Sequence, residues 1–265
     1  MFLLLLVAAV GYSLLLLAVY LQQDLLVFPG AGRGIRPLDV TGVTTRELPG
    51  LRNEPFRIVE CVPDKPAAVV VHFVGNGEDL CSAARHAVSL AGYGVAVVSP
   101  EYPGYGGSRG RPSVPSVLRA AELTTEHAAA LAQRLGVPLF ASGSSLGTFS
   151  AVHVASQGKV TKCLLRAPAT SIAAVAAGRF WWLPVRALLR HAFDNREAAK
   201  RVTCPVLIVH GDADEVIPVD QGKALRAMFA GPAEIVIVPG AGHNDLSVGP
   251  EGPVAAQVRA FLAAK

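Results

Sequence analysis

Ser142-Gly143-Ser144-Ser145-Leu146-Gly147 lies between the apolar run Val137-Pro138-Leu139-Phe140-Ala141 and the small-residue stretch Thr148-Phe149-Ser150-Ala151-Val152-His153-Val154-Ala155. The pattern predicts a short buried strand, a tight turn and a helix within about twenty residues. Gly143 and Gly147 stand two residues either side of Ser145, the spacing G-x-S-x-G. A serine at the tip of such a turn takes a strained backbone conformation, and side chains at the flanking positions would strike the neighbouring strand or helix. The result is a hydroxyl standing clear of the sheet at a helix N-terminus, where backbone N–H groups favour developing negative charge. A strand-to-helix turn without chemistry carries the same local signature in a chain with 26 glycines. Partners for the hydroxyl must therefore come from elsewhere.

Outward from this turn, strand-like runs alternate with helical sequence. Ala67–Phe73 is a continuous β-branched run, the mark of a strand buried on both faces. A helix is expected over Asp79–Leu90, with Asp79 as N-cap. Val95–Ser99 reads as the next buried strand, the loop Pro100–Pro112 follows, and a long helix covers Ser113–Leu135. After the turn come strands at Val160–Leu165, Pro205–Val209 and Glu234–Val238, then a closing helix at Pro253–Ala264. Two earlier strands, Val40–Leu48 and Phe56–Val62, are separated by a Pro-Gly-Leu-Arg-Asn turn. The alternation predicts an α/β fold with a mostly parallel, doubly wound sheet covered on both faces. A chain of 265 residues suffices for one such domain.

Phe2–Leu21 carries no charge. Twenty helical residues at about 1.5 Å each span about 30 Å, one bilayer core. A cleaved leader would have an apolar region nearer 7–15 residues behind a basic residue, so an uncleaved single-pass anchor over residues 1–22 is expected. A Gly/Arg-rich tether over 23–39 and a folded domain over 40–265 then follow. Arg33 and Arg36 close behind the apolar stretch bias the domain towards the cytoplasm. The net charge of +4 comes from scattered Lys and Arg, which argues against a nucleic-acid module and suits an anionic membrane surface. Cys61, Cys163 and Cys204 lie in or beside expected strands, and with Cys81 they show no C-x-x-C spacing. Inert core thiols are expected rather than metal ligands.

Between Ala167 and Thr203 the chain is longer than a single crossover helix requires. The segment, about 168–203, holds Arg179-Phe180-Trp181-Trp182-Leu183-Pro184 and the amphipathic Val185–Phe193. It reads equally as an ordinary crossover with aromatic core contacts or as a short helical lid. In the second reading Phe180, Trp181, Trp182 and Leu183 present an apolar wall to substrate.

A nucleophilic serine needs a base within hydrogen-bond reach and a carboxylate to orient that base. In a doubly wound sheet both belong on loops at the C-terminal ends of later strands. The strand Pro205–Val209 ends in His210-Gly211-Asp212-Ala213-Asp214-Glu215-Val216-Ile217-Pro218. The strand Glu234–Val238 ends in Pro239-Gly240-Ala241-Gly242-His243-Asn244-Asp245. The order Ser…Asp…His results, with His243 the expected base. Asp212 suits a turn cap; Asp214 precedes Val-Ile-Pro where the loop returns to the sheet. His210 reads as packing or loop bonding and His72 as a satisfied core histidine. His86, His127, His153 and His191 fall in helical sequence without a partner pattern, and no metal-ligand spacing such as H-E-x-x-H occurs. Two backbone donors are needed for an oxyanion: the N–H of Leu146, and one from Val74-Gly75-Asn76-Gly77, where Asn76 is the choice and a plain Gly-Asn-Gly turn is the rival.

Together these pieces resemble the α/β-hydrolase superfamily. The closer resemblance is to membrane-tethered serine hydrolases of the lysophospholipase, monoacylglycerol-lipase and protein-depalmitoylase type, also called serine aminopeptidase-like. The segments Phe73–Leu80, Glu101–Ser108, Gly143–Gly147, Pro205–Gly211 with Asp214, and Gly242-His243 carry it. The resemblance implies Ser145 as nucleophile, Asp214 as orienting acid and His243 as base. A serine hydrolase working through an acyl-enzyme, with no metal or cofactor required, is then expected, and the anchor with the apolar Phe180–Leu183 points to small esters or thioesters with an acyl chain. A serine peptidase and a non-catalytic membrane-tethered binding protein are the rival readings. The chain departs from the family pattern at Val74, where a histidine is usual, and at Pro103, where an arginine is usual. The first change removes a hydrogen bond that braces the oxyanion loop.

Overall fold

A computed structural model describes residues 1–263, built on one eight-stranded sheet. An antiparallel pair, β1 (Thr44–Pro49) and β2 (Pro55–Cys61), opens it. The others are β3 (Val69–Phe73), β4 (Ala96–Pro100), β5 (Leu139–Ser144), β6 (Cys163–Arg166), β7 (Val206–Gly211) and β8 (Ala233–Val238). Their order across the sheet is β1-β2-β4-β3-β5-β6-β7-β8, parallel from β4 onward. The crossover order puts β3 and β5 side by side at the centre, with Phe73 paired to Gly143. The expected strand at Val40–Leu48 starts later, at Thr44, because Gly42 turns the chain at φ +78° just before it.

Successive residues of a strand face opposite sides, so a fully apolar strand needs two covers. Val69, Val71 and Phe73 pack beneath α4 (Val114–Leu135) and α5 (Gly147–Ala155). Val70, Val97 and Phe140 lie in a separate cluster on the other face with α3 (Leu80–Ala91) and α10 (Ala255–Ala263). Asp79 caps α3 by accepting the Ser82 N–H at 3.0 Å. Of the expected closing helix Pro253–Ala264, Ala264 lies outside the described residues.

At the N-terminus, α1 (Phe2–Leu21) is a single helix with no buried residue, long and apolar enough to cross a membrane. The first part of the segment expected as a tether forms a short helix and packs on the domain. Gln23–Val27 form α2, and Phe28 is wholly buried, edge-on to His191 and Phe193 at ring-centroid distances of 4.9 and 6.1 Å. The long crossover holds α6 (Ile172–Arg179), α7 (Val185–Leu188) and α8 (Arg196–Ala199). The amphipathic pattern at Val185–Phe193 yields only one helical turn, since the backbone becomes extended at Leu189 and Asp194 bridges back to Ser171. The remaining helix, α9 (Val219–Arg226), joins β7 to β8.

Candidate active site

β5 delivers the chain to a sharp turn into α5. Ser145 sits on it at φ +51°, a left-handed conformation that non-glycine residues seldom adopt. The two flanking glycines make the turn possible. A Cβ on Gly147 would fall 2.0 Å from the Phe73 carbonyl oxygen, and one on Gly143 2.5 Å from the Gly147 carbonyl oxygen. Holding the strained serine are its own N–H, donated to Arg166 O at 2.9 Å, and its carbonyl, which accepts from Thr148 N at 3.0 Å and Thr148 Oγ1 at 2.7 Å.

The loops after β7 and β8 converge on this hydroxyl. His243 Nε2 lies 3.0 Å from Ser145 Oγ, and its Nδ1 lies 2.7 Å from Asp214 Oδ2. The other oxygen of Asp214 accepts the N–H groups of Val216 and Ile217 at 2.9 and 2.8 Å. Burial pushes the Asp214 carboxyl upward. Hydrogen bonds from His210, His243 and Ile217 N–H outweigh it and hold the group below the usual carboxylate range, so it is an anion. Asp212 is occupied elsewhere, its Oδ1 accepting the Gly240 N–H at 2.6 Å across to the neighbouring loop. An imidazole between a carboxylate and a hydroxyl can accept the hydroxyl proton at one nitrogen while the other stays fixed as N–H.

His210 does more than pack. It is fully buried, bonds Ile217 O through Nε2 at 2.8 Å and lies 3.5 Å from Asp214 Oδ2, making it a second histidine on the same carboxylate. Gly222 admits it: a Cβ there would lie 2.4 Å from His210 Nδ1. His72 departs from expectation differently. Its Nδ1 meets Ser142 Oγ at 3.1 Å, but Nε2 is buried with no hydrogen-bond partner among the described residues. Burial and the positive charge of His86 depress His72 to about 3, so it is neutral. The four histidines without a local partner pattern each meet a carboxylate: His86 with Glu78, His127 with Glu60, His153 with Glu122 and His191 with Asp24. His191 lies beyond α7 rather than in a helix.

Opposite the turn, the loop after β3 runs beside Ser145. A Cβ on Gly75 would lie 3.7 Å from that of Ser145. Val74 leaves the loop without a bracing histidine, and three other groups hold it. Tyr102 Oη donates to Val74 O at 2.5 Å, and Tyr105 Oη donates to Asn76 O at 2.7 Å. Glu78 Oε2 accepts the Gly75 N–H at 2.5 Å, and Glu78 Oε1 meets His86 Nε2 at 2.6 Å. The Asn76 side chain donates to Val27 O at 3.0 Å. The two tyrosine braces come from a loop almost thirty residues further along the chain and have no local sequence signal.

Ser145, Leu146, Asn76 and His243 line a cleft of about 530 Å³ that is also lined by Ile172 and Ala176 of α6 and by Phe180 just beyond it. Of the four residues expected as a substrate wall, Phe180 lines this cleft, while Trp182 and Leu183 line an adjoining cavity. Trp181 lines neither and is 83% exposed, because the chain turns outward between α6 and α7.

A mostly parallel sheet with helices on both faces, and a glycine-flanked serine between its central strand and helix, is the α/β-hydrolase architecture. The chain belongs to that superfamily. A family profile described as TAP-like protein matches residues 182–264. An uncharacterised protein of Mycobacterium tuberculosis is 37% identical over 180 residues, 68% of this chain and 63% of that one. Human alpha/beta hydrolase domain-containing protein 17B is 30% identical over 194 residues, 72% of this chain and 65% of the relative. The chain thus spans slightly under two thirds of these relatives. Among solved structures, an esterase of Pyrococcus furiosus superposes with a TM-score of 0.69 at 14% identity, covering 88% of this chain and 96% of that one. Est1E from Butyrivibrio proteoclasticus superposes with a TM-score of 0.63 at 18% identity, covering 84% and 98%.

Proposed function

We propose that the chain is a serine hydrolase that cleaves carboxylic esters or thioesters of acyl compounds. The observation that carries this reading is the unbroken hydrogen-bonded series Ser145–His243–Asp214, with the serine strained on the floor of an apolar cleft. Ser145 Oγ attacks the acyl carbonyl as its proton passes to His243 Nε2. The carbonyl electrons move onto oxygen, where the N–H groups of Leu146 and Asn76 receive the charge. Collapse expels the alcohol or thiol, which takes the proton from His243. Water then loses a proton to His243 and attacks the acyl-serine, freeing the acid and restoring the hydroxyl. Asp214 keeps the imidazole in the required tautomer and favours its cation.

The cleft supports an acyl rather than a peptide substrate. Its described lining contains no Asp or Glu to receive a substrate amine, which an aminopeptidase-like site would need, and is otherwise largely apolar. Twenty uncharged, unburied residues in α1 support attachment to a membrane through that helix. Contacts of Tyr12 and Tyr20 with the lid support its retention in the working protein.

Hydrolysis of p-nitrophenyl butyrate by the full-length chain tests the reading. Ser145→Ala and His243→Ala should each lower kcat by about 10⁴ or more, and Asp214→Asn by about 10³–10⁴. Turnover that survives in Ser145→Ala at the parent rate would remove the proposed nucleophile.

A further inference from the structure

Beside the cleft over Ser145 lies a second cavity of about 490 Å³, and the two share Leu26, Val27, Ile172, Ala176 and Phe180 among their lining residues. The far side of this second chamber comes from the lid, through Leu183, Val185 and Leu189 among others, and from Val19 of α1. Gln23 brings an amide to this lining, and both the nitrogen and the oxygen of its carboxamide are bonded. Its Nε2 donates to Leu188 O at 2.6 Å, and its Oε1 accepts the Arg190 N–H at 2.7 Å. The other described lining residues are aliphatic or aromatic, a surface that suits hydrocarbon.

The lid is fastened to the N-terminal helices rather than only to the sheet. Asp24 Oδ1 pairs with Arg190 Nη2 and His191 Nε2, each at 2.6 Å. The Arg190 guanidinium lies over the Tyr20 ring at 5.2 Å. Further along α1, Tyr12 Oη donates to Trp182 O at 2.9 Å. Tyr12 precedes Leu21 by nine residues, about 13 Å along a helix axis. With α1 in a bilayer, this contact carries the lid's aromatic tip, including the exposed Trp181, well below the headgroups.

We propose that this chamber binds the acyl chain of the substrate and opens along α1 to the lipid, so that the N-terminal helix forms a wall of the substrate site as well as an anchor. The inference rests on the hydrolase reading above and adds where a long chain lies and how it arrives. A chain esterified at Ser145 passes over Ala176 and Phe180 into the chamber, still solvated by hydrocarbon from membrane to nucleophile.

The test is the ratio of kcat/KM for p-nitrophenyl palmitate to that for p-nitrophenyl butyrate, measured with the full chain in detergent micelles. Leu189→Trp and Leu183→Trp fill the chamber from two sides, and Val19→Trp fills it from α1. Each methylene denied an apolar site costs about fourfold in transition-state binding. Displacing two or more should therefore lower the palmitate-to-butyrate ratio at least tenfold in all three variants. A ratio within threefold of the parent in all three overturns the chamber. The two readings fail separately. A parent chain that turns over neither ester, and an Ser145→Ala variant no slower than its parent, count against the hydrolase; butyrate turnover with an unmoved ratio counts against the chamber alone.

Discussion

Replacing Glu78 with alanine should damage catalysis without weakening substrate binding. The carboxylate bridges the Gly75 N–H and His86 Nε2 at 2.5 and 2.6 Å, one residue before the backbone of Asn76. Burial pushes this carboxyl upward. The His86 hydrogen bond and charge, with the Gly75 N–H and the Arg166 charge, outweigh burial and hold it at about 2, so it is an anion throughout the working range. A hydrogen bond to a charged group contributes about 1.5–3 kcal/mol, and removing its acceptor leaves the Gly75 N–H unpaired. The loop then loses one of the three groups that hold it, and the Asn76 N–H, proposed above as an oxyanion donor, loses its placement. Loss of one oxyanion donor typically lowers kcat by about 10²–10³. Glu78→Ala should thus reduce kcat on p-nitrophenyl butyrate about 100-fold with KM within about threefold. Glu78→Gln keeps an acceptor oxygen and should lose less than about tenfold. Stopped-assay kinetics on both variants, with melting temperatures alongside, decide the matter. A Glu78→Ala protein that melts earlier but keeps its kcat would show a purely structural role and refute the reasoning.

Two further outcomes follow from the site's surroundings. His72, neutral in the fold and depressed to about 3, takes up a proton on unfolding near its ordinary value of about 6.5. Between those values the unfolded chain binds a proton the folded chain refuses, so stability falls as pH drops. Urea titrations should show His72→Leu relieving about 2 kcal/mol of the loss between pH 7 and pH 5; an unchanged pH slope would contradict the buried neutral imidazole. Gly147→Ala places a methyl 2.0 Å from the Phe73 carbonyl oxygen, where backbone must shift. It should lower kcat at least about 100-fold or abolish soluble expression, and near-parent activity would mean the turn is looser than described.

The fold was legible because its strands are short apolar runs separated by helix-length sequence, and the central turn because only glycine fits where Gly143 and Gly147 meet neighbouring backbone. The meeting of Ser145, Asp214 and His243 was legible for a topological reason: parallel strands bring the loops at their C-terminal ends to one edge. What was hidden lies in contacts between distant segments. Phe28 leaves the Gly/Arg-rich stretch to pack on His191 and Phe193, which composition cannot reveal. The Glu78 brace joins a loop to a helix side chain, and His191 finds Asp24 across most of the chain. His210 sits four residues before Asp214, yet its approach depends on the missing side chain of Gly222. The lid pattern at Val185–Phe193 overstated the helix because Asp194 is drawn back to Ser171.

The central claim is that the residue 145 hydroxyl, with its proton drawn toward residue 243, is the acylated group. A fluorophosphonate probe reacts with such a serine, and digestion followed by peptide mass spectrometry locates the adduct. The expected result is a single phosphonylated peptide spanning Gly143–Gly147, with labelling at least 100-fold slower in His243→Ala. An adduct on any other residue, or equal labelling with and without that imidazole, would contradict the account.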